Sequence, residues 1–288
     1  MESALTVKEE HQQVRRKCGY FWMEDWALAQ ATGKDVFEYL QTQTTNDIKN
    51  LEIGQGQASA IVDRKARLIA PFSVFRTSEN TVLFLVQAEI QERLLRHLET
   101  FLFREDVTIK SLSEKLLAFQ GPLSALVMKQ LTGLDSLPEK PNDWASSRWE
   151  GKEIQVIHKS FTGEEGYLLV LNPALKDKTI SRIQELDPPH QCLPISLDTW
   201  DVLRIEAGIP LYGRDMSDKN ILPETGLEHT SVSYHKGCYI GQEVIARIKT
   251  YGAPNFALMG LEIEGEDLPP ENAEIRWNNK KIGTLKST

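Results

Sequence analysis

The stretch "HKGCYIGQEVIAR", residues 235–247, decides how this chain is read. A cysteine, Cys238, sits on a glycine-bracketed piece of backbone two residues after Lys236. A lone cysteine in an arbitrary chain is usually a small buried apolar residue, and flanking glycines usually make a turn. Here the neighbours carry a chemical consequence. If 234–238 is extended, Lys236 and Cys238 project to the same face, because side chains alternate with period two. An ammonium beside a thiol favours the thiolate. Gly237 and Gly241 remove bulk on both sides and let a ligand or partner approach. From Gly241 the pattern predicts a helix whose N-terminus stabilises a thiolate further, with Glu243 and Arg247 one turn apart and able to pair. Chemistry alone leaves a structural and a working Cys238 both open.

The rest of the chain bounds the answer. Its 288 residues suffice for two domains, or for one large domain with an appendage. Hydrophobic residues at 41 % and charged residues at 26 % are ordinary for a soluble globular protein. No apolar run approaches the roughly 20 residues of a membrane span. The start, "MESALTVKEEHQQVRRKCGYFW", has no apolar segment of the secretory type. Cys18, Cys192 and Cys238 are far apart and odd in number, which argues against a disulfide framework and a CxxC metal site and for a reducing compartment, most simply the cytoplasm. A net charge of −8 lacks the positive field that drives non-specific nucleic-acid binding. The sequence has no GxSxG, HExxH, P-loop or GxGxxG, and its six histidines show no close pair at metal-ligand spacing.

Along the chain, "DVFEYLQTQTTNDIKNL" (35–51) reads as a helix running into a loop, followed by a strand meander through "QASAIVDRKARLIAPFSVFR" and "NTVLFLV". "AEIQERLLRHLETFL" is an amphipathic helix with Ile90, Leu94, Leu98 and Phe101 on one face. "SLDTWDVLRIEAG" is a helix capped by Ser196, and "SFTGEEGY" (160–167) a glycine-bracketed hairpin turn. Past residue 252 come short β segments, "ALMGLEIEG", "AEIRWNN" and "KIGTL". Hairpins and helices alternate irregularly, so the fold class is α+β rather than a doubly wound parallel sheet.

"KGCYIGQEVIAR" resembles the signature of the YgfZ proteins, a branch of the folate-binding superfamily that contains the aminomethyltransferase (T-protein) of glycine cleavage. "FEYLQTQTTNDIKNL", "SFTGEEGY" and "LRIEAGIPLYGRD" resemble other superfamily segments in the expected order, so the resemblance covers nearly the whole chain. It implies a ring of subdomains around a central folate-sized cavity: a core over 1–250 made of two interleaved subdomains, and a small, incomplete β barrel over 251–288. The implied ligand is tetrahydrofolate or a derivative, between the 160–168 turn and the 204–212 segment. Cys238 becomes the working thiol, Lys236 its activator, and Gln242 and Glu243 the residues that orient the loop. Glu164, Trp200, Arg204 and Tyr212 become candidates for the cavity lining.

Departures from the family pattern matter as much. Where aminomethyltransferases carry a pair of aspartates, this chain has Ala70 and Pro71; a pterin-binding glutamate is matched by Leu168, and an arginine by Trp200. Alanine and proline have no group for acid–base work, which leaves open whether any reaction is catalysed. Trp200 can offset part of the loss by stacking on a pterin ring, and Asp63 on the same hairpin and Glu164 on the facing turn are the carboxylates that could reach the same space. The leading expectation is a YgfZ-like role in assembling or repairing iron–sulfur enzymes, including those that modify tRNA, with iron–sulfur proteins as partners. The alternatives are a tetrahydrofolate-dependent aminomethyltransferase or other one-carbon transferase, and a non-catalytic folate-binding scaffold. The expected location is cytoplasmic, or mitochondrial in a eukaryote, with no membrane association.

Overall fold

The computed structural model describes residues 5–188, 190–265 and 267–288. The chain opens with helix α1 (Val7–Arg16), whose N-terminus carries a reciprocal cap between Thr6 and Glu9. Strand β1 (Gly19–Trp22) follows, then β2 (Trp26–Thr32), α2 (Val36–Gln43), β3 (Gly56–Val62), β4 (Leu68–Ser78), β5 (Thr81–Gln87), α3 (Ala88–Thr100), β6 (Thr108–Ser111) and β7 (Lys115–Gln120). Next come α4 (Ser124–Thr132), β8 (Trp144–Trp149), β9 (Lys152–His158), β10 (Gly166–Leu171), α5 (Lys176–Gln184), β11 (Leu193–Pro194) and α6 (Leu197–Glu206). The chain ends with α7 (Glu228–Ser231), α8 (Gln242–Tyr251), β12 (Glu274–Trp277) and β13 (Lys280–Thr284). The α+β expectation holds.

Two sheets carry the architecture. A five-stranded antiparallel sheet runs β3-β4-β5-β2-β6, and a six-stranded sheet runs β11-β1-β7-β10-β9-β8, parallel only between β11 and β1. Strict alternation explains how they stack. On β5, Val82, Phe84 and Val86 face a core made with α2 and α3, while Leu83 and Leu85 face the other sheet. On β10, Leu169 and Leu171 face α4 and α5, while Leu168 and Val170 face inward. The result is four layers, helices outside and sheets inside, with an apolar seam between the sheets.

The C-terminal region departs from expectation. Among the described residues β12 and β13 form a two-stranded hairpin and no closed barrel. "AEIRWNN" and "KIGTL" supply those strands, but "ALMGLEIEG" (257–265) forms none. Strands need a hydrogen-bonded neighbour. This segment is tied to the core through Leu258 N–H donating to the Glu224 carbonyl, at 2.8 Å, and leaves Phe256, Met259 and Leu261 exposed. No helix of the described residues is long and apolar enough to cross a membrane.

The glycine before α8 serves packing. Gly241 has φ +83°, and a β-carbon there would meet the Asp63 carbonyl oxygen at 2.5 Å and Val62 Cγ2 at 2.8 Å. The space expected for a ligand at Gly241 is taken by the β3–β4 turn. Gly237 faces open space. Gly241→Ala should therefore destabilise the protein by about 2–4 kcal/mol in urea unfolding, from left-handed strain plus overpacking. Gly237→Ala should stay within about 0.5 kcal/mol of wild type. Equal effects would show that the close approach at Gly241 is not a constraint.

Candidate functional site

The seam between the sheets holds three of the residues that the resemblance singles out, Pro71, Leu168 and Trp200. On β4, Ala70, Phe72 and Val74 belong to the helix-side core, so Pro71, Ser73 and Phe75 face the seam. Of the two positions matched to aspartates, Pro71 is thus the one on the seam side. Proline is tolerated there because Pro71 pairs with Ala60 of β3, whereas the ladder with β5 begins only at Ser73. Leu168 is fully buried in the seam, and Trp200 packs against Phe21 with ring centroids 5.6 Å apart. Trp26 meets Phe161 edge-on at 5.5 Å.

One cation enters this apolar layer. Lys159 Nζ donates to Ser73 Oγ at 2.9 Å and to Asn142 Oδ1 at 3.0 Å, and lies 5.6 Å from the Phe161 ring centroid. Protein surrounds the amine, although the residue keeps some accessible surface. Burial pushes its pKa down to about 8. Neither Lys159 nor Ser73 carries a motif that marks it in the sequence. The available signal was a serine alternating with apolar residues in "PFSVF" and a lysine just before the "SFTGEEGY" turn.

That turn is stitched to the seam by the buried Gln120, which donates to the Lys159 carbonyl at 3.1 Å and accepts from Phe161 N–H at 2.7 Å. Gly163, with φ +81°, lies against Ala207 at the end of α6. The 160–168 turn and the start of the 204–212 segment therefore close on each other instead of standing apart as cavity walls. Arg15 of α1 seals the junction, donating to Glu164 at 2.6 Å and to Glu206 at 2.6 Å. Glu164 is thus occupied by a cation. Asp63 is also occupied, since its Oδ1 accepts the backbone N–H groups of Lys65 (2.8 Å) and Arg67 (2.9 Å) in the β3–β4 turn. Neither carboxylate is free to replace the missing aspartates.

Arg204 is the largest fully buried side chain, and its partners account for it without a ligand. It donates to Asp201 at 2.6 Å, Asp215 at 2.7 Å, the Ile209 carbonyl at 3.2 Å and Ser287 Oγ at 2.7 Å. Expected in the cavity lining, it instead ties α6 to the following loop and to the C-terminal segment. Tyr212 belongs to the helix-side core rather than the seam, and its hydroxyl takes a hydrogen bond from Arg93. Trp200 is the expected lining residue that the fold does place in the seam.

The motif loop differs from its expected extended form. Residues 234–236 bend, so Lys236 and Tyr239 turn inward while Cys238 is exposed. Lys236 Nζ donates to the carbonyls of Thr44 (2.7 Å) and Asn46 (2.8 Å) and lies 5.1 Å from the Tyr239 ring centroid. Burial lowers its pKa to about 8, partly opposed by Asp47. Its role here is to anchor the loop, and the same-face activation of Cys238 is not what the fold provides. Glu243 is exposed and Gln242 half-buried at the start of α8, and the expected Glu243–Arg247 pair is not among the ion pairs of the described residues. No group of three or more His, Cys, Asp or Glu among the described residues can hold a metal ion. A surface depression of about 440 Å³ beside α3 lies outside the seam, and its arginines, Arg93 and Arg96, are already paired with Asp218 and Glu92.

Residues 2–235 match the GCVT N-terminal domain, a span that stops just before Lys236. The chain belongs to that family. Its relatives include a protein of Halalkalibacterium halodurans named aminomethyltransferase, 30 % identical over 96 % of this chain and 76 % of the relative. An aminomethyltransferase of Bacillus pumilus is 28 % identical over 97 % of this chain and 77 % of its own. Among solved structures, the glycine cleavage system aminomethyltransferase T from Bartonella henselae superposes with a TM-score of 0.78 at 22 % identity, covering 86 % of this chain and 68 % of that one. These relatives support the aminomethyltransferase alternative over the iron–sulfur role.

Trp200 Nε1 is buried without a hydrogen-bond partner, so it offers a donor to a bound heterocycle, and Phe21, Trp26 and Phe161 offer aromatic surface. These groups match the aromatic and donor chemistry that a pterin ring takes, whereas the side chains of Pro71 and Leu168 carry no carboxylate.

Two outcomes follow. Among the three thiols, Cys238 should alkylate fastest with iodoacetamide in the native protein, since Cys18 and Cys192 are buried. Peptide mapping checks this, and a slower Cys238 would refute its placement. The lysines set a pH dependence of stability. Lys159 titrates near 8 when folded and near its ordinary 10.5 when unfolded, so the unfolded chain holds more protons between those values and stability gains as pH rises through them. Lys236 acts with the same sign. Lys159→Met should flatten roughly half of that gain in melting curves taken from pH 7 to pH 10. An unchanged slope would show that the amine is not held in its depressed state.

Proposed function

We propose that this chain is a tetrahydrofolate-dependent one-carbon protein of the aminomethyltransferase type, with its ligand in the seam between the two sheets. The observation that carries this reading is the unpartnered indole N–H of Trp200, buried among Phe21, Leu168 and Leu203 at a position matched to a family ligand residue. A buried donor without an acceptor costs about 1–3 kcal/mol, and a heterocycle acceptor removes that cost. The relatives named aminomethyltransferase support the same class. A bound tetrahydrofolate supplies nitrogens that carry a one-carbon unit. The chain supplies aromatic faces that orient the ring and exclude water, a donor at Trp200 Nε1, and at Lys159 Nζ a group that can hold or release a proton near pH 8. Ser73, which accepts from that amine, can donate back to it once it is neutral.

A second reading, the YgfZ-like role in iron–sulfur enzyme maintenance, is favoured by the exposed Cys238 on a loop anchored through Lys236 and Tyr239. That motif lies beyond the span matched to the family. In this reading the thiol is presented to a client protein, and folate serves the scaffold.

Tryptophan fluorescence should report saturable tetrahydrofolate binding. Trp200→Phe, which keeps an aromatic ring but removes the donor, should weaken it about fivefold, the worth of a hydrogen bond near 1 kcal/mol. No binding at millimolar ligand would remove folate from the function. Aminomethyl transfer from the loaded lipoyl carrier should run about 10²–10⁴-fold slower than in a relative that has the aspartates. Its residual rate should rise with pH through about 8 in wild type and lose that rise in Lys159→Met. Turnover at a relative's full rate would show that the aspartate positions are dispensable here.

A further inference from the structure

We propose that Cys18 and Cys192 form a redox-active dithiol that closes into a disulfide by exchange with low-molecular-weight disulfides of the glutathione class. The two sulfurs lie 3.1 Å apart although 174 residues separate them in sequence. Both residues are buried, at 0 % and 4 % exposure. The backbone independently supports the pairing. Strands β1 and β11 are parallel, with Gly19 opposite Leu193 and Tyr20 opposite Pro194, and stepping back one residue sets Cys18 beside Cys192. Leu193 N–H reaches the Cys18 carbonyl at 3.5 Å. Neighbouring strands run about 4.7–4.9 Å apart, inside the Cα window of about 4.4–6.8 Å that a disulfide spans. Closure therefore needs side-chain rotation and no change of fold.

The surroundings set when exchange occurs. Burial, aided by Cys18, pushes the Cys192 thiol well above its ordinary value, so little thiolate exists in the closed state. Attack requires local opening. The element over Cys192 suits that, because β11 has two residues and Gln191 before it is exposed. One cysteine thiolate attacks the disulfide of oxidised glutathione and releases one glutathione. The second cysteine then attacks the mixed disulfide and releases the other. Two electrons pass from the dithiol to the oxidant, and the two cysteine protons end on the two released thiols. The bond would pin β11 to β1 and so fix the entry to α6, which starts after Ser196 and carries Trp200. The pairing is independent of the folate reading, since it rests on strand register and sulfur contact.

The test uses the full chain. Reduced protein is equilibrated without denaturant at pH 8 across graded ratios of reduced to oxidised glutathione, quenched in acid, blocked with N-ethylmaleimide and mapped without reduction. The expected result is a Cys18–Cys192 peptide pair, with Cys238 recovered free or as a glutathione adduct, and a melting temperature several degrees above the reduced form. Cys238→Ser should give the same pair and lose both remaining thiols together. Recovery of Cys18 and Cys192 as free thiols or separate adducts at every ratio would overturn the proposal. So would a crosslink to Cys238, or a Cys18–Cys192 crosslink that forms only in denaturant.

Discussion

Both sheets bury their inner faces on one shared apolar layer, and the rest of the molecule is arranged around that constraint. Leu28, Phe75, Leu83 and Leu85 of one sheet meet Phe21, Leu116, Leu168 and Val170 of the other. Each such side chain contributes on the order of 1.5–3 kcal/mol when removed from water, so the seam dominates any single polar contact in the fold. A layer of that kind tolerates few polar groups, and those it admits have to be paired. Lys159 is admitted because Ser73 and Asn142 accept from it. Trp200 Nε1, by contrast, is buried with no partner among the described residues.

Seen from the seam, the substitutions in the family's ligand positions form one pattern. Pro71, Leu168 and Trp200 stand where the resemblance leads one to expect ionisable groups, and the two carboxylates Asp63 and Glu164 are held by a turn and by Arg15. The seam itself presents aromatic and aliphatic side chains beside the Lys159 amine. Such a seam can still grip a flat heterocycle through its faces. Its one amine, Lys159, titrates near 8 because burial disfavours the charged form.

The motif loop illustrates a different balance. Its glycine and lysine look like devices for reactivity, yet the fold uses both to hold the loop down. Gly241 lets α8 approach the β3–β4 turn, and Lys236 satisfies the carbonyls of Thr44 and Asn46. The exposed thiol of Cys238 is what those anchors leave free.

The sequence by itself determined the α+β class, the strand meander and the α3 and α6 helices, because hydrophobic period, capping and turn residues are local signals. It also determined that positions 71 and 168 carry no acid in any fold. Only the tertiary structure decided that Arg204 is a structural cation, that Lys236 faces away from Cys238, and that Cys18 touches Cys192. It likewise decided that Pro71 rather than Ala70 faces the seam, and that Lys159 reaches Ser73 across 86 residues of chain. The physical reason is common to all of these. Each depends on which distant group satisfies a charge or fills a contact, and pairing at long range is set by sheet register and layer stacking, which leave no periodic trace in the chain.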